Sequence, residues 1–270
     1  MSNSKAQIIA TIGPKSGTVE LLSKMLKSGL DVVRLNFSWG TYDEHRSYIT
    51  NTRAAAQEIG RHIPIIQDLS GPRVQQTGGH AFDADAQLVA GVLTEKDLRD
   101  LEFGLAEQVE YIALSYVGNA RDIDELRRKL PTGTYTPKII AKIERQEALD
   151  NLDEIIESSD AIMIARGDLG QNIPIEQVPF VERRIIMKTS AAKKPVITAT
   201  QMMLSMVDHP EPTRAEVTDV AFAILLGSDA VMLSEETARG KYPVEAVAIM
   251  EKILVEAESY VPGSLERHTL

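Results

Sequence analysis

Cysteine is absent from the chain, which removes disulfide scaffolds, thiol nucleophiles and thiolate metal sites together. Basic charge is also short. Twenty-nine Lys and Arg face 39 Asp and Glu, a formal net charge of −10 that argues against a nucleic-acid surface or a polybasic membrane patch. A locally basic pocket for an anionic substrate is still allowed. No apolar run is long enough to span a membrane, and the run in MSNSKAQIIATIG is too short for a signal-peptide core, so a cytoplasmic enzyme is expected. The five His show no metal-ligand spacing and are expected to be solvated, and no Walker or G-x-S-x-G loop occurs. TIGPKSG lacks the G-x-G-x-x-G spacing of a dinucleotide fold.

What is present is an alternation. The 270 residues, 43% apolar and 25% charged, suit one large soluble core. Short apolar strands are predicted at Ile8–Ile12, Asp31–Phe37, Pro64–Leu69, Tyr111–Val117, Lys138–Ile143, Ala161–Ala165, Val196–Thr200 and Ala230–Leu233. Helical spacing falls between them, over Thr18–Ser28 (stopped at Gly29), Asp43–Ile59, Glu95–Glu107, Arg121–Leu130, Gln146–Glu157, Glu176–Lys193, Ala215–Leu226 and Val244–Glu258. The strands are apolar on nearly every residue, as expected where both faces are covered. About eight strand–helix pairs predict an α/β fold, a single-domain TIM (β/α)8 barrel over residues 1–260. The segment 75–91 reads as a loop or small hairpin, and 261–270 as a polar, disordered tail.

Catalytic groups in such a barrel come from the C-terminal ends of the strands. KIIAKIE ends in Lys142 and Glu144, two apart and so on one face, and AIMIARGDLG ends in Asp168. A Lys with two carboxylates suits a divalent metal beside a phosphate or carboxylate; the plainer alternative is a set of solvated, salt-bridged strand ends. Arg34, Asn36 and Ser38 line one face of their strand, and Arg34 suits either a phosphate or a structural carboxylate. Asp68, before Leu-Ser-Gly-Pro-Arg, is a turn former, a partner for a guanidinium or a cation ligand. Arg73 is a surface charge or a second anion contact. Backbone N–H groups of the Arg166–Gly170 turn, expected before a helix starting near Pro174, can hold an anion. Thr200 is a candidate to orient water or relay a proton, or a structural residue. Thr213 and Glu216 form a T-x-x-E capping box. Met202, Met203 and Met206 read as packing.

In order along the chain, TIGP, RLNFS, the Asp68-x-x-Gly71-Pro72 turn, KIE, ARGDLG, ATQM, PTRAE and MLSEETARGKYP resemble the central barrel of the pyruvate kinase family, from about Ile8 to Glu258. The resemblance implies transfer of a phosphoryl group from phosphoenolpyruvate to ADP, with Mg²⁺ or Mn²⁺. It gives Lys142 the phosphoryl group in flight, Glu144 and Asp168 the metal, and Arg34 the substrate phosphate. It gives the Gly167 and Asp168 backbone the substrate carboxylate, and Thr200 the enolate carbon and its proton. Asn36, Ser38 and Asp68 then line a monovalent-cation site. Phosphoryl transfer needs positioned positive charge around spread negative charge, which agrees with these roles.

The chain also departs from the family pattern. Only 75–91 stands where a lid domain is usually inserted, and no regulatory domain is expected after the barrel, so weak nucleotide affinity, slower transfer and lost allosteric control are expected. Trp39 replaces a His usual near the nucleotide, and Gln75 an Arg. Leu69 and Arg73 resemble members that need no K⁺, a fixed charge near Asp68 replacing the cation. Small-molecule partners and a homo-oligomer, dimer or tetramer, are implied. Two other functions compete: a metal-dependent lyase, decarboxylase or aldolase acting on 2-oxo acids through an enolate without nucleotide, and a non-catalytic binding subunit.

Overall fold

The eight apolar runs become eight parallel strands that close into a barrel, each beside its neighbours in the sequence and the last beside the first, as the sequence predicts. The computed structural model describes residues 4–76, 79–82, 91–261 and 267–270, with backbone alone for 74–76 and 79–82. The barrel strands are β1 (Gln7–Thr11), β2 (Leu30–Asn36), β3 (Ile65–Asp68), β6 (Tyr111–Leu114), β7 (Lys138–Ile143), β8 (Ala161–Ala165), β9 (Val196–Ala199) and β10 (Ala230–Leu233). A separate antiparallel hairpin, β4 (Arg73–Gln76) and β5 (Gly79–Phe82), occupies the start of the 75–91 segment, with Arg73 opposite Phe82 and Gln76 opposite Gly79. Residues 83–90 lie outside the described residues.

Two contact units make up the chain. The first, residues 1–35, 40–65 and 195–270, holds β2, β1, β10 and β9 side by side, with Ile9 paired to Val32 and Met232, and Val231 to Thr198. Met202, Met203 and Met206 are fully buried in its core. The second, residues 36–39 and 66–194, holds β3, β6, β7 and β8, with Ile112 paired to Gln67 and Ile139, and Lys142 to Met163. Every residue of β8 is buried, and so is every residue of β7 after Lys138. A strand covered on both faces has no polar side to present, which is why the sequence shows unbroken apolar runs.

The helices begin where short polar side chains replace missing backbone acceptors. Thr41 with Glu44, Thr94 with Asp97, Asn119 with Asp122 and Thr213 with Glu216 all form capping boxes. Gly29, at φ +117, follows the first helix, Val19–Lys27, as its stop signal predicts.

Several expectations change. The helix expected over Gln146–Glu157 is two, Gln146–Asp150 and Leu152–Ser158. Asn151 sits at the junction and donates its side-chain N–H to the Gly118 carbonyl at 2.9 Å, an outside partner that competes with helix continuation. The strand expected to reach Val117 stops at Leu114, because Tyr116 takes φ +57. His45, expected in solvent, is buried and meets Tyr48 edge-on at 6.3 Å. Arg267–Leu270, expected in a disordered tail, is bonded: Arg267 to the Ser228 and Ile224 carbonyls, the His268 N–H to Asp229 at 2.7 Å, and the Leu270 N–H to Gln7 at 2.8 Å. Residues 262–266 of that tail lie outside the described residues. Among the described residues no helix is long and apolar enough to cross a membrane.

Candidate active site

The charges that the sequence places at strand ends meet in the second unit. Lys142 and Glu144, at the end of β7, share a face as their spacing requires. The Lys142 Nζ lies 3.0 Å from Glu144 Oε1, 3.1 Å from Asp68 Oδ1 at the end of β3, and 2.7 Å from Ser115 Oγ just past β6. All four residues are at most 4% exposed, so these are not solvated strand ends. Taking such groups out of water costs several kcal/mol per ion, and only close pairing offsets it.

The local backbone serves this cluster. Tyr116 donates its N–H to Glu144 Oε2 at 2.6 Å, an orientation reached through its left-handed φ of +57. Such a φ in a bulky residue is strained. Its carbonyl accepts from Arg145 Nε at 2.9 Å, and its ring lies 5.2 Å under the Arg73 guanidinium. Arg73 also donates to the Ser70 carbonyl at 2.5 Å and to Ser115 Oγ at 3.3 Å. It is therefore a contact of the cluster rather than a surface charge.

Gly71 makes the turn after Asp68 possible. It has φ +66, and a Cβ there would stand 2.9 Å from Ser115 Cβ and 3.0 Å from Tyr116 Cδ2. Its N–H is tied to Asp97 at 3.1 Å. Gly71→Ala is expected to lower unfolding free energy by roughly 2–4 kcal/mol, the sum of left-handed strain and overpacking. A urea titration followed by circular dichroism measures the shift of the midpoint.

Asp168 completes the charge set. Its segment differs from the expected turn: residues Arg166–Asn172 form a helix directly after β8, a 3-10 turn Ile175–Gln177 follows, and the next helix is Val178–Ala191. Tertiary placement overrides the two helix-weakening glycines here. Gly167 and Asp168 thus stand in the first turn of that helix. Asn172 fastens this helix to β7 by donating to the Glu144 carbonyl at 3.0 Å and the Asp168 carbonyl at 2.8 Å. Burial first, then the charge of Glu144, push the Asp168 carboxyl up to about 6, while Lys142 and Arg73 pull the other way. Three carboxylates, Asp68, Glu144 and Asp168, face Lys142 and Arg73, while Arg145, whose charge also reaches Glu144, is paired with Glu147. The cluster is short of positive charge.

That shortage is the test for a metal. Among the described residues no three His, Asp or Glu are grouped to hold an ion alone. Mg²⁺ is commonly held by one or two carboxylates, with water and phosphate oxygens making up the rest. Glu144 Oε1 is buried and faces the Lys142 ammonium at 3.0 Å, and among the described residues it accepts no well-formed hydrogen bond. An acceptor of that kind beside a carboxyl whose ionisation is suppressed suits an added divalent cation, so the residues fit.

The proposed monovalent-cation residues lie in the same unit. Asn36 Oδ1 accepts from the Ser38 N–H at 3.1 Å, and the buried Ser38 Oγ has no hydrogen-bond partner among the described residues. Lys96, which sequence reasoning misses, donates to the Phe37 carbonyl at 2.6 Å and pairs with Asp100 at 2.5 Å. Two fixed cations, Lys96 and Arg73, thus touch the backbone of the two segments that carry Asn36, Ser38 and Asp68. Trp39 is 55% exposed on the turn after Ser38.

Arg34 and Thr200 belong to the first unit. Arg34 is buried and donates to Thr11 Oγ1 at 3.0 Å, which itself donates to the Leu233 carbonyl at 3.0 Å. Thr200 lies just past β9, with φ +69 next to Gln201 at φ +54, and its hydroxyl donates to the Ala199 carbonyl at 2.6 Å. Two consecutive non-glycine residues in the left-handed region are the strained kind of backbone that collects at functional sites. Ser115 is another residue that the sequence reading passes over, although it stands just past the end of β6.

Comparison with known proteins agrees with the motifs. The family described as "Pyruvate kinase, barrel domain" matches residues 3–92 and 83–247. Pyruvate kinase of Dictyostelium discoideum is 36% identical over 348 aligned positions, covering 98% of this chain and 68% of that protein. The enzyme of Thermococcus litoralis is 37% identical, covering 95% and 70%, and that of Bacillus licheniformis 36%, covering 94% and 57%. The chain therefore spans between 57% and 70% of these relatives. The 348 aligned positions exceed the 270 residues of the chain, so the Dictyostelium protein holds residues inside the aligned span that have no counterpart here.

Proposed function

Because the chain belongs to the pyruvate kinase family, we propose that it moves the phosphoryl group of phosphoenolpyruvate to ADP, giving pyruvate and ATP. The observation that carries this reading is the buried Lys142 ammonium, held by Ser115, Asp68 and Glu144 with Asp168 beside them. The transferring group needs positive charge placed in advance, in a site that excludes water. Lys142 supplies it from a low-exposure position where its attraction is little screened. Glu144 and Asp168 would hold Mg²⁺ or Mn²⁺, which when bound stabilises the enolate oxygen and the phosphoryl oxygens. First-turn N–H groups at Gly167 and Asp168 receive the substrate carboxylate. On this reading Arg34 takes the substrate phosphate, and Thr200 relays the proton that converts the enolate carbon to a methyl group. With no lid domain between Gly71 and Gly91, ADP is expected to bind weakly and transfer to be slow. Phe180 and Met187 are exposed on the helix Val178–Ala191 with the exposed Arg183 and Arg184 between them, a mixed face for the self-association that the family implies.

A coupled assay of pyruvate formation from phosphoenolpyruvate and ADP with Mg²⁺ tests the reading. ATP is the expected product. No ATP, together with metal-dependent exchange of the pyruvate methyl protons, would assign the enolate chemistry to a nucleotide-free lyase. Turnover is expected to proceed without K⁺, Arg73 and Lys96 supplying the fixed charge. Arg73→Glu should introduce K⁺ stimulation of about tenfold or more, the equivalent of ~1.4 kcal/mol of Coulomb interaction at this site. A strong K⁺ stimulation of the unaltered enzyme would remove the idea.

A further inference from the structure

Ser115 has no role in the motif reading, yet its hydroxyl has more polar neighbours than either side chain it connects. It is fully buried just past the end of β6. Its oxygen lies 2.7 Å from the Leu69 carbonyl, 2.7 Å from Lys142 Nζ, 3.3 Å from Arg73 Nη2 and 3.5 Å from Asp68 Oδ1. A serine hydroxyl has one proton and two acceptor lone pairs. The carbonyl at 2.7 Å is the closest acceptor and takes the proton, because neither ammonium nor guanidinium accepts one. Both lone pairs are then directed at cations, one at Lys142 and one at Arg73. The Asp68 carboxylate, already 3.1 Å from Lys142 Nζ, is left to the ammonium.

This arrangement matters for where Lys142 points. Its other close partners are two carboxylates, Asp68 at 3.1 Å and Glu144 at 3.0 Å. The shortest of its contacts is the uncharged one, to Ser115. Without that acceptor, Coulomb attraction draws the ammonium toward the carboxylates. The guanidinium of Arg73, placed by the Ser70 carbonyl, the Tyr116 ring and the same hydroxyl, loses one of its anchors. We propose that Ser115 is a positioning residue for phosphoryl transfer: its oxygen fixes Lys142 and Arg73 relative to each other and so couples the cation-replacing charge to the catalytic ammonium. This assignment rests on the pyruvate kinase reading above.

Three forms of the whole chain test it: the wild type, Ser115→Ala and Ser115→Cys. Cysteine keeps the side-chain size but accepts hydrogen bonds weakly. Both variants are expected to lose about 10–100-fold in kcat, the usual cost of removing an orienting partner of an active-site group, with KM for phosphoenolpyruvate within about threefold of the wild type. Both should become stimulated by K⁺, which the wild type is not. Double mutants with Arg73→Met should lose less than the product of the single losses, since the two changes release the same contact. A residue that only fills space would leave Ser115→Cys near wild-type kcat and neither variant sensitive to K⁺. That outcome, in a wild type that forms ATP, overturns this assignment alone. A wild type that forms no ATP overturns the phosphotransferase reading, and the assignment with it.

Discussion

Lys142→Met is expected to lower ATP formation from phosphoenolpyruvate by at least about 10³-fold, the range seen when a preorganised charge at the reacting group is removed. Methionine fills a similar volume but leaves the phosphoryl group without its ammonium. Exchange of pyruvate methyl protons depends on the enolate rather than on the phosphoryl group, so it should survive within about tenfold. The measurement is proton exchange by NMR alongside the coupled assay. Loss of both activities in equal measure would mean that Lys142 only holds the site together. A structural cost is also expected. Asp68 and Glu144 would lose a buried cation that is 3.1 and 3.0 Å away, and breaking such a pair typically costs about 3–5 kcal/mol. Part of this should return on adding Mg²⁺, which binds the folded state.

Glu144→Gln is the second large effect. Glu144 is fully buried and serves three neighbours: Lys142 through Oε1, the Tyr116 N–H through Oε2, and Asp168 through its charge. Glutamine keeps an acceptor for Tyr116 but removes the negative charge. The apparent affinity for Mn²⁺ is expected to fall at least about 100-fold, because in the proposed site two carboxylates would hold the ion and one is lost. Calorimetric titration with Mn²⁺ reads this directly; unchanged affinity would place the metal elsewhere.

The same pair sets a pH dependence. In the metal-free protein the Asp168 carboxyl titrates at about 6, raised by burial and then by Glu144. Metal binding requires the ionised form. Affinity for Mn²⁺ should therefore be steady above about pH 7 and drop near tenfold for each pH unit below about 6. For folding the sign is opposite. A carboxyl raised above its unfolded value favours the protonated native state, so this group's contribution to metal-free stability is full below the unfolded value and is lost as pH rises through about 6. Mg²⁺ should shrink that loss. In Glu144→Gln the Asp168 carboxyl moves down toward its ordinary range, and the pH step moves with it.

Much of this was legible in the residues themselves. The barrel follows from apolar runs covered on both faces and from helices whose polar caps, such as Thr213 with Glu216, sit before periodic segments. The spacing of Lys142 and Glu144 determined that they share a face, since alternation along a strand is a local property. The motifs that name the family are local as well. Backbone conformation at the strand ends was not legible: the left-handed Tyr116 and Thr200, and the helix that begins at Arg166, break the rules of propensity. Contacts between strands override those preferences.

Which charges meet was decided only by the tertiary structure. Asp68, Ser115, Lys142 and Asp168 are dozens of residues apart, and no periodicity relates one strand end to the next. Their convergence depends on the register of β3, β6, β7 and β8. Arg73 read equally as a surface charge or an anion contact until the fold set it on Ser115, and Lys96, which carried no reading, gained one when the fold set it on the Phe37 carbonyl. The sequence alone determined that a Lys, an Arg and several carboxylates end the strands. Burial decided what they are, because only away from water do a few ångströms between charges shift an ionisation.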